Sequence, residues 1–74
     1  MKNRWWQVVN VAEGPYGLDS MPNRTWRMHE AEFRRMLQST AHQRMVLVDT
    51  PDFVVRRSPL LGEEGIQIFY AVEG

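Results

Sequence analysis

Residues 5–12 read Trp-Trp-Gln-Val-Val-Asn-Val-Ala, and this stretch decides the class of fold. In an extended chain, successive side chains point to opposite sides. One side would carry Trp5, Gln7, Val9 and Val11, and the other Trp6, Val8, Asn10 and Ala12. The stretch predicts a β-strand. One of its two adjacent tryptophans must point away from the core, and the pattern does not say which one.

Three later segments have extended patterns. Residues 45–48 (Met-Val-Leu-Val) are apolar on both sides, which predicts a central strand covered on each face. Residues 53–57 predict the returning strand of a hairpin whose turn contains Pro51. Residues 66–73 alternate regularly and predict a long last strand.

Helical spacing begins near Trp26. The apolar residues at this spacing are Trp26, Phe33, Met36, Leu37 and Ala41. They predict one helix that begins between Thr25 and His29 and ends near Thr40. An alternative is that residues 25–28 form a short strand leading into the helix, because boundaries read from sequence are imprecise.

Residues 13–23 contain a high density of glycine, proline, aspartate, serine and asparagine, which predicts a long loop without regular structure. Long loops of this kind often have a function, and this one carries Tyr16, Leu18 and Met21.

The order of these elements predicts one α+β domain over residues 1–74. It would have a small, mostly antiparallel sheet of four to five strands with one helix packed on one face. The other sheet face would be partly open, and its apolar side chains would be available to a partner or to a second copy of the chain.

The composition favours binding over covalent chemistry. The 74 residues include eight arginines, one lysine and three tryptophans, but no cysteine. Arginine and tryptophan are enriched where binding energy concentrates, although a GC-rich genome also raises the arginine content. The net charge of zero provides no overall field toward nucleic acid or an anionic membrane. No apolar run resembles a signal peptide or a membrane span, so we expect a cytoplasmic protein.

No catalytic, cofactor-binding or metal-binding residue is predicted. His29 and His42 are thirteen positions apart, which does not place them together as a helical metal pair. Asp49 and Asp52 flank a proline turn, where acidic residues are common. The serines lack a nucleophile-elbow sequence.

A protein-binding surface is the favoured interpretation. Its predicted members are Arg4, Trp5, Tyr16, Leu18, Met21, Arg56 and Arg57, together with Leu60 and Leu61. Aromatic, methionine and arginine residues in loops are typical of binding hot spots. Three alternatives remain open: these residues close the small core, the arginine pairs contact nucleic acid, or the chain is a small ribonuclease that uses scattered polar residues.

The chain resembles, in general character, the small phage-encoded proteins that bind bacterial RNA polymerase. The resemblance lies in its size, its lack of cysteine, the Arg4-Trp5-Trp6 start and the loop from Gly14 to Asn23. It covers the whole chain but contains no specific residue signature, so it transfers no functional residue. It implies a non-enzymatic protein that docks on polymerase subunits and inhibits or redirects transcription.

Overall fold

A computed structural model describes residues 4–59 and 64–72, which form a curled antiparallel sheet and two short helices. The strands are β1 (Trp5–Gly14), β2 (Gly17–Leu18), β3 (Arg24–His29), β4 (Val46–Asp49), β5 (Phe53–Arg57) and β6 (Gly65–Val72), and the helices are α1 (Glu30–Leu37) and α2 (Thr40–Met45). The α+β class and the antiparallel sheet are confirmed. The described residues contain six strands and two helices, more than the four to five strands and one helix that were predicted.

Strand β1 organises the sheet because both of its edges are paired. One edge pairs with β6, from Trp5 opposite Val72 to Ala12 opposite Gly65. The other edge pairs first with β3 and then with β2. Beyond β6 the sheet continues through β5 to β4. The tryptophan-rich stretch is therefore the strand on which the fold is built.

The sheet has one covered face and one open face. Both helices pack on the covered face, where the β1 residues Trp6, Val8 and Asn10 are fully buried. We use "open face" for the opposite side, whose apolar residues are Trp5, Val9, Val11, Val48, Phe53, Val55, Ile66, Ile68, Tyr70 and Val72. The register also places polar and charged residues on this face, namely Gln7, Thr25, Arg27, His29 and Arg57. The structure thus assigns Trp6 to the core and Trp5 to the surface.

The core lies between α1 and the sheet. The Phe33 ring stacks on the Trp6 ring with centroids 3.8 Å apart and an angle of 16° between their planes. Phe33 also lies 5.7 Å from Phe69, and Val8 and Val54 complete the buried apolar cluster. Stacked rings and buried aliphatic groups supply most of the apolar burial in a domain this small.

The predicted helix start was wrong, because Trp26 belongs to β3 and lies opposite Val8 of β1. The alternative short strand at residues 25–28 is the one that forms, since pairing with β1 outweighs the helical spacing. Helix α1 begins after His29, whose side chain accepts a hydrogen bond from the Ala31 N–H at 3.3 Å. It ends at Leu37.

A second helix follows where the sequence predicted the end of the first. The Ser39 hydroxyl oxygen accepts a hydrogen bond from the His42 N–H at 3.1 Å, which caps the new helix α2. Ala41, which was predicted on the apolar helix face, is exposed on α2.

The prediction of a covered central strand at residues 45–48 was also wrong. Met45 ends α2, and β4 is an edge strand whose Leu47 and Val48 are exposed. A bulge between Val46 and Val48 interrupts its pairing with β5. Short, bulged strands are typical of sheet edges, and an apolar run does not reveal by itself which position a strand takes.

The predicted loop at residues 13–23 is partly regular. Strand β1 extends to Gly14 and returns as β2 after a turn at Pro15 and Tyr16. Gly17 follows the turn with a φ of +105°, which glycine adopts without strain. Gly65 is constrained more strongly: its φ is +148°, and a Cβ there would overlap the Val11 carbonyl.

Candidate protein-binding surfaces

The residues predicted to bind a partner lie in three separate places. Arg4 contacts α1, and Arg56 lies under α2 on the covered face. Trp5 and Arg57 lie on the open-face side, on different strands. The turn after β1 and the segment that follows carry Tyr16, Leu18 and Met21. Leu60 and Leu61 lie outside the described residues.

Arg4 is engaged within the protein. Its Nη1 donates to an Asp52 carboxylate oxygen at 2.7 Å, and its Nη2 donates to the Pro51 carbonyl at 2.9 Å. Its Nε lies 3.5 Å from a Glu30 oxygen, and the guanidinium lies 4.4 Å from the centre of the Trp6 ring. Arg4 therefore links β1, α1 and the β4–β5 turn, and these contacts leave little of its guanidinium group available to a partner.

Glu30 is the buried acceptor in this network. Its carboxylate receives the Trp6 Nε1–H at 2.6 Å and the Arg34 Nε–H at 2.9 Å. Burial raises the pKa of Glu30, but the hydrogen bonds from Trp6 and Arg34 and the charge of Arg4 outweigh it and hold the pKa below its ordinary value. The carboxylate is thus ionised at neutral pH.

Arg56 lies in a second buried polar group. Its Nε donates to the Gln67 side-chain oxygen at 3.0 Å, its guanidinium lies 5.2 Å from the centre of the Phe69 ring, and burial lowers its pKa. The neighbouring His42 is also buried, and neither ring nitrogen has a hydrogen-bond partner among the described residues. Burial and the charge of Arg56 lower the pKa of His42, opposed by the charge of Asp49.

The turn after β1 and strand β3 lie along the same edge of β1, and we name their exposed residues the aromatic edge. It consists of Tyr16, Leu18, Met21, Trp26 and Arg27. By register Trp26 and Arg27 point to opposite sides of the sheet. Tyr16 is fully exposed, and Leu18 and Met21 expose 51% and 74% of their surface. On β3, Trp26 is partly exposed and the Arg27 Nε donates to the Gln7 side-chain oxygen at 3.3 Å. Three of these five residues were predicted, whereas Trp26 and Arg27 were missed.

The open face is a second exposed apolar surface. Its rings are 37% (Trp5), 40% (Phe53) and 39% (Tyr70) exposed, and Phe53 and Tyr70 are direct cross-strand neighbours. Its other apolar members are aliphatic, and most of them are half-buried. The alternation in β6 assigned Ile66, Ile68, Tyr70 and Val72 to one side, but a single strand does not reveal whether that side faces the helices.

One cleft of the described residues lies beside the buried Glu30 network. A cleft of about 570 Å³ between α1 and the β4–β5 turn is lined by Arg4, Arg34, Asp49 and mostly apolar neighbours. Both arginines already contact Glu30. Within residues 4–59 and 64–72, no three His, Asp or Glu side chains gather as a metal site would require. Over the same ranges, every helix is too short or too polar to cross a bilayer.

Comparison with known proteins identifies no relative: no protein-family model, curated protein or solved structure matches the chain.

Proposed function

We propose that this protein is a non-enzymatic interaction module that binds a larger protein through the aromatic edge. The observation that carries the proposal is the exposure of Tyr16, Leu18 and Met21, three large apolar side chains within six consecutive residues. Fully burying a side chain of this size is worth about 1.5–3 kcal/mol, so a partner that covers all three gains substantial binding energy.

The residue types at this edge support a protein partner. Tyrosine, tryptophan, methionine and arginine are the residues that protein interfaces enrich, and all four are present here. Strand β3 also lies at the edge of the sheet, with β1 as its only strand partner among the described residues. Such an edge can add a strand from another protein through main-chain hydrogen bonds while the side chains supply specificity.

Bacterial RNA polymerase is the first partner to test, because the chain resembles small phage proteins that dock on it. In this proposal the module occupies polymerase surface and inhibits or modulates transcription, and it does so without turnover of any substrate.

The test is capture of purified bacterial RNA polymerase by the immobilised chain. Tyr16→Ser and Met21→Ser should each weaken capture about tenfold or more, because each removes an exposed apolar anchor. Leu47→Ser is the matched control, since Leu47 is similarly exposed but lies on the opposite edge strand β4. Equal capture by all three variants would show that the aromatic edge does not bind the polymerase. Absence of capture by the native chain would show that RNA polymerase is not the partner.

A second candidate function is nucleic-acid binding through exposed arginines. Arg35, Arg44 and Arg57 are exposed on α1, α2 and β5. In each of the two adjacent arginine pairs, Arg34-Arg35 and Arg56-Arg57, one member is engaged inside the protein, however. Arg34 forms an ion pair with Glu30, and Arg56 is buried. A salt titration separates the two functions, because contacts with several phosphates make affinity fall steeply with salt, whereas an apolar protein interface responds weakly.

A further inference from the structure

We infer that a second copy of this chain covers the open face, so that two sheets pack face to face in a symmetric dimer. The inference goes beyond the proposed function because it uses a different surface from the aromatic edge. It rests on the size of the open face, the small internal core, and the arrangement of large and small side chains across the face.

The size of the open face matches one half of a stable interface. Five strand positions at about 4.8 Å spacing and eight residues at about 3.4 Å rise give a face of roughly 650 Å². Two such faces would bury about 1,300 Å², within the roughly 1,200–2,000 Å² of standard protein–protein interfaces.

The chain has no described element that covers this face. Both helices pack on the other side of the sheet, and the fully buried apolar cluster contains only Trp6, Val8, Phe33, Val54 and Phe69. A domain of this length has little core with which to offset the entropy of folding. A second sheet at about 10 Å separation would complete a sandwich and give each chain a second buried layer.

The open face is complementary to itself after a half-turn. The pairing register places Trp5, Tyr70 and Phe53 at one end of the face and Val11, Ile66 and Arg57 at the other. A two-fold axis that lies between the two sheets and runs perpendicular to their strands would set the rings of one copy against the end of its partner that carries Val11, Ile66 and Arg57. Interleaving of large and small side chains is how apolar layers reach native packing density.

The charges of the open face are compatible with a second copy of the chain packed against it. Two charged residues share the open face by register: Arg27, opposite Gln7, and Arg57, opposite Ile66. Arg27 lies on the edge strand β3 and Arg57 is the last residue of β5, and two strands separate β3 from β5. At the margins of a sandwich these guanidinium groups reach water, so two identical faces meet without burying like charges.

Sedimentation equilibrium of the full chain tests the inference. At high micromolar concentration the native protein should show twice the 8.7 kDa chain mass and dissociate on dilution. Phe53→Lys places a charge among the packed rings of the interface and should raise the dissociation constant about a hundredfold or more. Tyr70→Thr is a milder second variant if Phe53→Lys loses its native circular dichroism. Met21→Lys is the matched control, because it changes an exposed apolar residue away from the open face and should leave the dimer intact.

The same variants separate this inference from the proposed function. Phe53→Lys should lose the dimer and retain polymerase capture, whereas Met21→Lys should lose capture and retain the dimer. A native chain that stays monomeric at high concentration would overturn the inference. A dimer that survives both open-face substitutions would also overturn it, and loss of capture by a monomeric Phe53→Lys variant would show that another protein covers this face.

Discussion

Replacing Glu30 by alanine should remove a large part of the stability of the domain. The carboxylate is buried and accepts from the Trp6 indole at 2.6 Å, while Arg4 Nε lies 3.5 Å away and has no hydrogen-bond partner among the residues that the structure describes. Truncation would leave the buried indole N–H without its acceptor and would remove the buried ion pair at Arg4 Nε, while Arg4 keeps Asp52 and the Pro51 carbonyl at its two Nη atoms. Breaking a buried charged pair in this way costs about 3–5 kcal/mol. Arg34 adds little to this figure because its side chain is 63% exposed.

That loss is large on the scale of this chain. At about 0.05–0.15 kcal/mol per residue, 74 residues correspond to an unfolding free energy of roughly 4–11 kcal/mol. In thermal unfolding, each kcal/mol shifts the midpoint of a domain this size by about 4–8 °C. Glu30→Ala should therefore lower Tm by at least about 12 °C, or leave the chain unfolded at room temperature.

Two further variants make the reasoning testable. Glu30→Gln keeps an acceptor for the indole and loses only the charge, so it should cost about 1–2 kcal/mol. Glu32→Ala removes an exposed glutamate from the same helix and should change stability by less than about 0.5 kcal/mol. Urea and thermal unfolding followed by circular dichroism supply the measurement. Equal destabilisation by Glu30→Ala and Glu32→Ala would show that the buried Glu30 network does not stabilise the domain.

Three other outcomes follow from the core, one turn and one buried histidine. Phe33→Ala should cost about 3–5 kcal/mol in urea unfolding, whereas Leu47→Ala, at an exposed site, should stay within about 0.5 kcal/mol of the native protein. Gly65→Ala should cost about 2 kcal/mol or more, because the residue has a φ of +148° and no room for a Cβ, and a smaller loss in thermal unfolding would contradict that reading. Burial holds the pKa of His42 in the folded chain below its ordinary value of 6.5. The neutral imidazole therefore contributes fully to the unfolding free energy above pH 6.5, and this contribution is lost as the pH falls from 6.5 through the folded-state pKa. His42→Gln should flatten the dependence of the unfolding free energy on pH below about pH 6.5, and an unchanged slope there would rule out His42 as its source.

The candidate surfaces were only partly predictable from sequence. Tyr16, Leu18 and Met21 were predicted because they lie in a segment rich in turn residues, and such segments place their side chains at the surface. Arg4 and Arg56 were predicted by residue type alone, and the structure shows both engaged inside the protein. Residue type does not reveal whether an arginine will find an internal acceptor, because Asp52 and Gln67 reach these positions only through tertiary pairing.

The helix and edge-strand errors have a related cause. Trp26 fits a helical spacing with Phe33, but the chain gains more by pairing β3 with β1. Residues 45–48 are apolar in a way that fits a central strand, yet β4 lies at the margin because no described strand pairs with its outer edge. Local patterns report which conformations a segment can adopt, and competition between segments decides which one forms.

The sequence by itself determined the elements whose pattern is strong and local, namely β1, β5, β6 and the apolar turn of α1 around Phe33, and their order determined the α+β class. Periodicity suffices for these elements because it depends on neighbours along the chain. Only the tertiary structure decided which tryptophan is buried, which side of the sheet the helices cover, and where Arg4 and Arg56 find partners. Those choices depend on contacts between residues far apart in sequence, and an alternating strand is equally consistent with either of its faces turning inward.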